Sequence, residues 1–281
     1  MEAIHIAAGK IAMGSGKVFI CGGVESMSRV TAGFNPMPFP KLDEENPNVY
    51  FSMGITAENV AKKYNLSRKE QQDFSISSRE KAAIAQKNGK FENEITKINN
   101  CFKDGGIRPE TNQKVLDGLK LAFDQKGTIT AGTSSPLTDG AATTLICEEQ
   151  YAKDNNLDIL ARIISTSVQG CAHELMGLGP IGASQKALKR AKLSIKDIDI
   201  VELNEAFASQ SLACINDLGI DKNKVNLDGG ALALGHPLGA TGARITGKAA
   251  EILRRENKKY ALTTQCIGLG MGIATVIETV N

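Results

Sequence analysis

The sequence has no Trp, only three His and no excess of either charge: 33 basic side chains stand against 31 acidic ones in 281 residues, a formal net charge of +2. With the two signs interspersed rather than gathered into patches, there is no electrostatic case for nucleic acid or for an anionic membrane as partner. No stretch approaches the roughly 20 uninterrupted apolar residues that a membrane-spanning helix requires. The opening Met1-Glu2-Ala3-Ile4-His5 has neither a basic region nor a small-residue cleavage site, so the expectation is a cytoplasmic protein. The six cysteines, Cys21, Cys101, Cys147, Cys171, Cys214 and Cys266, are sparse and contain no CxxC spacing. That argues against a disulfide scaffold and, with so few His, against a zinc site; no metal is expected.

What is present is an ordinary core-forming mix, 42% hydrophobic and 23% charged, enough for one large or two moderate domains. Residues 2–13 carry Ile4, Ala8 and Ile11 along one face, the spacing of a mostly buried helix without an N-cap. A short buried strand at 17–21 follows, ending in Gly22-Gly23. From about Thr31 to Thr130 the texture changes. Asn35-Pro36-Met37-Pro38-Phe39-Pro40 and Asn46-Pro47 are loop chemistry, and 56–64 and 67–87 have helical period with polar faces. Ser67-Arg68-Lys69-Glu70 is a capping box opening the second of these helices, with Gly89 as its stop.

Sheet returns at 141–147. After a linker, the chain from about Ala161 alternates strand and helix: strand 198–203, helix 205–218, strand 225–227, helix 243–256, strand 260–265 and strand 272–277. The close of this part repeats the opening of the chain, helix then strand then glycine turn, which implies two copies of one α/β half.

Three motifs lie where strands end: Asn204-Glu205-Ala206-Phe207, the run from Gly235-His236-Pro237 to Arg244, and Cys266-Ile267-Gly268-Leu269-Gly270. Open α/β sheets gather their ligands at the carboxyl ends of strands. Each motif also has a bland interpretation. His236 suits a turn with a satisfied imidazole, Cys266 a small buried apolar residue, and Asn204 an N-cap. Glu205 suits the first turn of a helix, where its charge meets the helix dipole. The glycines after Cys266 do not have dinucleotide-binding spacing.

Together, in this order, the motifs resemble those of the thiolase family, the acetyl-CoA acyltransferases that include 3-ketoacyl-CoA and acetoacetyl-CoA thiolases. The resemblance runs the whole chain: Gly22-Gly23-Val24-Glu25-Ser26-Met27-Ser28 resembles GGxESMS, Thr130-Ala131-Gly132-Thr133-Ser134-Ser135 with Asp139-Gly140-Ala141-Ala142 resembles TAGNxSxxxDGA, and Met176-Gly177-Leu178-Gly179-Pro180 resembles MGxGP. It implies a layered αβαβα fold in which 1–30 and 131–150 belong to an incomplete N-terminal half, 31–130 is an inserted helix-and-loop domain, and 151–281 is the C-terminal half. It also implies thiolysis of a 3-ketoacyl-CoA, or the reverse Claisen condensation, through an acyl-cysteine.

His236 matches the histidine that deprotonates the nucleophilic thiol and helps hold the thioester oxygen, Cys266 the second cysteine that takes a proton from the α-carbon or from incoming CoA, and Asn204 the residue that positions an oxyanion-hole water. The backbone N–H of Gly268 would face the acyl oxygen. Ser135, Ala131, Leu137, Met176 and Phe207 match the pantetheine and acyl channel, and Met53 a methionine facing the acyl group; for Met53, Met176 and Phe207, ordinary core packing is the competing explanation. Arg108 is a candidate for the CoA phosphates, beside the commoner role of a solvated surface charge. Coenzyme A and acyl-CoA enter as substrates with no further cofactor, and the family habit is a homo-oligomer.

The chain departs from the family in places. The family's nucleophile lies in a Cys-x-Ser-Gly run just before the helix that here begins at Met1, so it falls upstream of this sequence. None of the six cysteines is expected to replace it. Cys21 is expected to end a strand beyond the helix. An internal Met taken as the start, a gene split so that a separate N-terminal polypeptide supplies the front, and a decaying remnant are the three accounts; retention of Asn204, His236, Cys266 and Gly268 favours the first two. Thr133 stands where Asn is usual, Leu269 where Gly is common, and His173 in a loop that usually lacks histidine. The rival of another class is a non-catalytic CoA-binding subunit. A decarboxylating ketoacyl synthase is disfavoured because its relatives carry His where this chain has Cys266.

Overall fold

In the computed structural model, residues 1–30 and 39–280 are described; positions 35–38 of the expected proline-rich loop lie outside them. Helix α1 (Glu2–Ala12) buries Ile4 and Ala7, and its N-cap Met1 makes no side-chain hydrogen bond, so packing rather than capping holds it. Strand β1 (Val18–Ser26) pairs antiparallel with β2 (Asp139–Cys147), Val18 opposite Cys147 and Ser26 opposite Asp139. The long segment looped out between these neighbouring strands holds α2 (Met53–Lys63) and α3 (Arg68–Lys87). The Ser67–Glu70 capping box forms in both directions, and Gly89, with φ of 69°, follows the end of α3.

A second sheet contains β3 (Arg162–Gly170), β4 (Ile200–Leu203), β5 (Tyr260–Ile267) and β6 (Met271–Glu278) in the order β3-β6-β5-β4. β4 runs parallel to β5, and β6 is antiparallel to both its neighbours. Three longer helices pack with this sheet: α4 (Gly179–Ala191), α5 (Ala208–Leu218) and α6 (Leu238–Arg255). Period-2 alternation sends the side chains of β6 two ways. Ala274 and Val276 pack with Leu262, Ala187 of α4 and Ile215 of α5. Ile277 faces Ile252 and Leu253 of α6, and Ile273 faces Met1 and Ile245. Each fully buried Ile or Leu of these clusters contributes about 1.5–3 kcal/mol.

Helix α6 also packs against β1 and β2, and His5 of α1 meets Thr275 Oγ1 of β6 at 2.8 Å. The layers therefore run α4/α5, four-stranded sheet, α1/α6, two-stranded ribbon: four of the five layers of the expected scheme, among the described residues. The outer face of the ribbon leaves Val18, Ile20, Val24 and Leu145 exposed. The expected repeat takes shape as α1–β1–β2 and α6–β5–β6, each a middle-layer helix followed by a strand with an antiparallel partner.

Several boundaries differ from expectation. Positions 225–227 form a single parallel bridge from Val225 to Val201 rather than a strand. Asn226 is left-handed, and its carboxamide makes two 2.9 Å hydrogen bonds to the N–H and C=O of Leu203, replacing ladder bonds. Helix α6 starts at Leu238, five positions before expectation. Its first turn crosses the backbone of β1 so closely that a Cβ on Gly239 would stand 2.6 Å from Val24 O; glycines needed for the crossing read as a turn in the sequence. Cys21 lies inside β1 rather than at its end, with its thiol on Ala3 O at 3.4 Å and burial raising its pKa.

Candidate active site

His236 sits in the tight link between the short helix Ala231–Leu234, ended by Gly235 with φ of 88°, and α6, whose N-cap is Pro237. Its backbone N–H donates to Thr138 Oγ1 at 3.2 Å. The ring is held at both nitrogens: Nδ1 is 2.6 Å from Thr241 Oγ1 and Nε2 is 3.2 Å from Asn204 Nδ2. The one hydroxyl proton of Thr241 is donated to Pro237 O at 3.0 Å, so its oxygen can only accept from the ring. Nδ1 therefore carries the proton and Nε2 keeps the lone pair, toward which the Asn204 carboxamide donates. Burial first, and the charge of Arg244 second, lower the imidazole pKa to about 4. At neutral pH the ring is an uncharged base.

Asn204 extends the β4–β5 ladder by one residue, its N–H donating to Thr264 O at 2.9 Å. It does not cap the following helix. That helix starts at Ala208, and its N-cap is Phe207. Asn204 Oδ1 is buried without a partner, which costs about 1–3 kcal/mol unless a water or ligand atom meets it.

Cys266, near the end of β5, packs with Met176, Ala206 and Phe207, that is, against the turn that Asn204 begins. Burial pushes its thiol up to about 12. A thiol that keeps its proton at neutral pH suits a proton donor more than a nucleophile. One residue past β5, a Cβ added to Gly268 would meet nothing within 4 Å, so this turn is open on that side.

The segment after the insertion closes against the same turn. Ser135 N–H donates to Ala206 O at 3.0 Å, and Ser134 bridges Phe207. Met176 lies in the same apolar cluster as Cys266, and Phe207 packs against that cluster. Phe207 meets Phe123 edge-on at 5.8 Å, and Phe123 in turn lies on Gly54, whereas Met53, the residue before Gly54, is exposed. Ala131 and Leu137 are exposed. Arg108 is exposed and in no ion pair among the described residues. Thr133 is fully buried; its Oγ1 accepts from Thr130 N–H at 3.0 Å, which makes it a turn-capping residue.

Glu205 is not the first-turn acid expected. It is buried, and its carboxylate accepts from Ser78 Oγ (2.7 Å), Asn226 Nδ2 (2.7 Å) and Leu232 N–H (3.1 Å). It thereby fastens the segment leading to His236 to α3. Thr138, Thr241 and Glu205 all support His236, and sequence reasoning missed all three roles. Only Thr241 had a signal, its place one helical turn after Pro237. Two cavities of about 360 Å³ lie beside Ile84 and Pro109 and beside Lys90 and Arg255, and neither is lined by Asn204, His236 or Cys266.

Comparison with known proteins bears on this arrangement. The model of the thiolase N-terminal domain matches residues 1–150 and that of the thiolase C-terminal domain residues 157–279. The 3-ketoacyl-CoA thiolase of Shewanella loihica is 46% identical over 291 residues, covering 99% of this chain and 75% of that protein. That of Vibrio vulnificus is 44% identical over 99% of this chain and 75% of its own length. Among solved structures, human mitochondrial 3-ketoacyl-CoA thiolase superposes with a TM-score of 0.92 at 37% identity, over 99% of this chain and 76% of that one. Its complex with CoA gives 0.91 at 38% identity, over 100% and 75%.

Proposed function

The chain belongs to the thiolase family of acyltransferases, and from that premise we propose that it serves thiolysis of a 3-ketoacyl-CoA by CoA, or the reverse condensation, with His236, Cys266, Asn204 and Gly268 as its site. The observation that carries this reading is the imidazole whose unprotonated Nε2 faces the Asn204 carboxamide, beside a turn packed on a protonated thiol.

In the cleavage direction the thiolate of the family's nucleophilic cysteine, none of the six in this sequence, adds to the 3-keto carbon, and the C2–C3 bond breaks to leave the acyl group on that sulfur. The electron pair goes to C2, and Cys266 supplies the proton that turns it into the methyl group of acetyl-CoA. His236 Nε2 takes the proton of the nucleophilic thiol; in the second half-reaction the Cys266 thiolate takes the proton of the incoming CoA thiol, and His236 returns its proton to the thiolate that leaves the acyl group. Asn204, through a bound water, and the Gly268 N–H stabilise the oxyanions. Ser135, Met176, Phe207, Ala131 and Leu137 line the route of the pantetheine arm, and Met53 faces the acyl group. Residues 31–130 act as an insertion domain between the 1–30 and 131–150 half and the 151–281 half, in a cytoplasmic homo-oligomer.

A second reading, a CoA-binding subunit that works with a thiol from another polypeptide, is favoured by one fact: burial makes the Cys266 thiol keep its proton, which suits it poorly as the nucleophile. The test is the protein mixed with acetoacetyl-CoA and CoA, followed by loss of thioester. Turnover that falls about 10²–10⁴-fold in Cys266→Ala and in His236→Ala is the expected result. Turnover unaffected by either substitution overturns the site assignment, and binding without turnover supports the second reading.

A further inference from the structure

The turn that carries Gly268 is built on a left-handed leucine. Leu269 has φ of 68° and Gly270 φ of 88°. Glycine adopts that region freely, whereas leucine crowds its Cβ against the next carbonyl there. Such a conformation persists only where the surroundings impose it. Apolar packing does not impose it, since Leu269 is 53% exposed. The segment entering α4 does: Cys171 N–H donates to Gly270 O at 2.8 Å, and His173 Nδ1 lies 2.6 Å from Leu269 O. A carbonyl only accepts, so Nδ1–H is the donor. The two segments are in backbone contact, because a Cβ on Gly270 would stand 2.7 Å from Cys171 O and 2.8 Å from His173 Nδ1. His173 is in turn anchored by the 3-10 turn His173–Leu178, whose Met176 packs on Cys266.

We propose that His173 is a positioning residue: by donating to the Leu269 carbonyl it holds the left-handed leucine and so keeps the Gly268 amide aimed at a thioester oxygen. The inference rests on the reading of Gly268 as an oxyanion donor. A leucine at 269 needs the clamp; a glycine there does not. His173 and Leu269 are then two departures from the family pattern that compensate one another.

The full chain tests this as His173→Leu, His173→Gln, Leu269→Gly and the His173→Leu/Leu269→Gly double variant, each read two ways. Hydrogen exchange of the 267–271 amides reports the turn, and titration with acetoacetyl-CoA and with CoA separates the thioester contact from the rest of the ligand. In His173→Leu, exchange accelerates about tenfold and acetoacetyl-CoA binds several-fold more weakly, while CoA affinity is unchanged. His173→Gln, which keeps an N–H donor, stays near the parent, and loss of His173 changes neither readout when residue 269 is glycine. Equal effects of His173→Leu in both backgrounds, or none in either, overturn the proposal. If the parent protein binds neither ligand, the CoA reading fails, and the exchange coupling between 173 and 269 still decides whether the clamp exists.

Discussion

Replacing Thr241 by valine removes one oxygen and keeps the volume. Among the described residues that oxygen is the one acceptor for the His236 Nδ1 proton, at 2.6 Å, while the hydroxyl's own proton goes to Pro237 O at 3.0 Å. Two outcomes are open to the ring in Thr241→Val. If the proton stays on Nδ1, a buried donor is left without a partner, at a cost of about 1–3 kcal/mol. If it moves to Nε2, that N–H faces the Asn204 amide donor 3.2 Å away, and the base loses the lone pair it needs. Either way the folded state loses about 1–3 kcal/mol of a total of about 5–15, and the population of rings with Nδ1 protonated and Nε2 free declines. The assay is ¹⁵N NMR of the imidazole nitrogens at neutral pH, with urea unfolding alongside. If both nitrogens keep their parent shifts and the stability changes by less than about 0.5 kcal/mol, Thr241 does not set the tautomer and the argument for an unprotonated Nε2 fails.

Acid should weaken the protein through the same histidine. The folded imidazole titrates at about 4, below the roughly 6.5 of an unfolded chain, so as pH falls the unfolded state binds the proton first. Stability present above about pH 6.5 is then lost down to about pH 4, by about 2–3 kcal/mol; His236→Gln should show a smaller loss between pH 7 and 4.5 in urea unfolding, and an equal loss would assign the effect elsewhere. Asp228→Asn should be costly: its fully buried carboxylate meets Lys248 at 2.9 Å and Arg255 at 2.7 Å, and these cations outweigh the burial that pushes its pKa up. Removing it leaves the buried Lys248 with Glu94 alone at 2.7 Å, so a loss of about 3–5 kcal/mol is expected in chemical denaturation; a change under about 1 kcal/mol would show the network contributes little.

Helices α1, α2 and α3 and strands β5 and β6 were legible because their apolar residues recur with a helical or strand period and, in α3, because Ser67 and Glu70 cap the start. Boundaries went astray where a tertiary contact overrides local chemistry. Gly239 and Gly242 read as a turn yet open α6, because β1 and Met1 come too close for a side chain. Val225 and Leu227 read as a strand, yet the Asn226 carboxamide takes over the hydrogen bonds of Leu203. Glu205 read as a charge at a helix start, yet it is a buried acceptor for three donors that come from α3 and from the segment ahead of His236.

By itself, the sequence determined the family, the α/β class and which side chains are available for thioester chemistry, since these depend on residue identity, order and spacing along one chain. Only the tertiary structure decided which imidazole nitrogen holds the proton, that burial raises the Cys266 pKa, and that a histidine nearly a hundred positions away meets the Leu269 carbonyl. Those properties arise from burial and from hydrogen bonds between distant segments, and neither exists until the layers have packed.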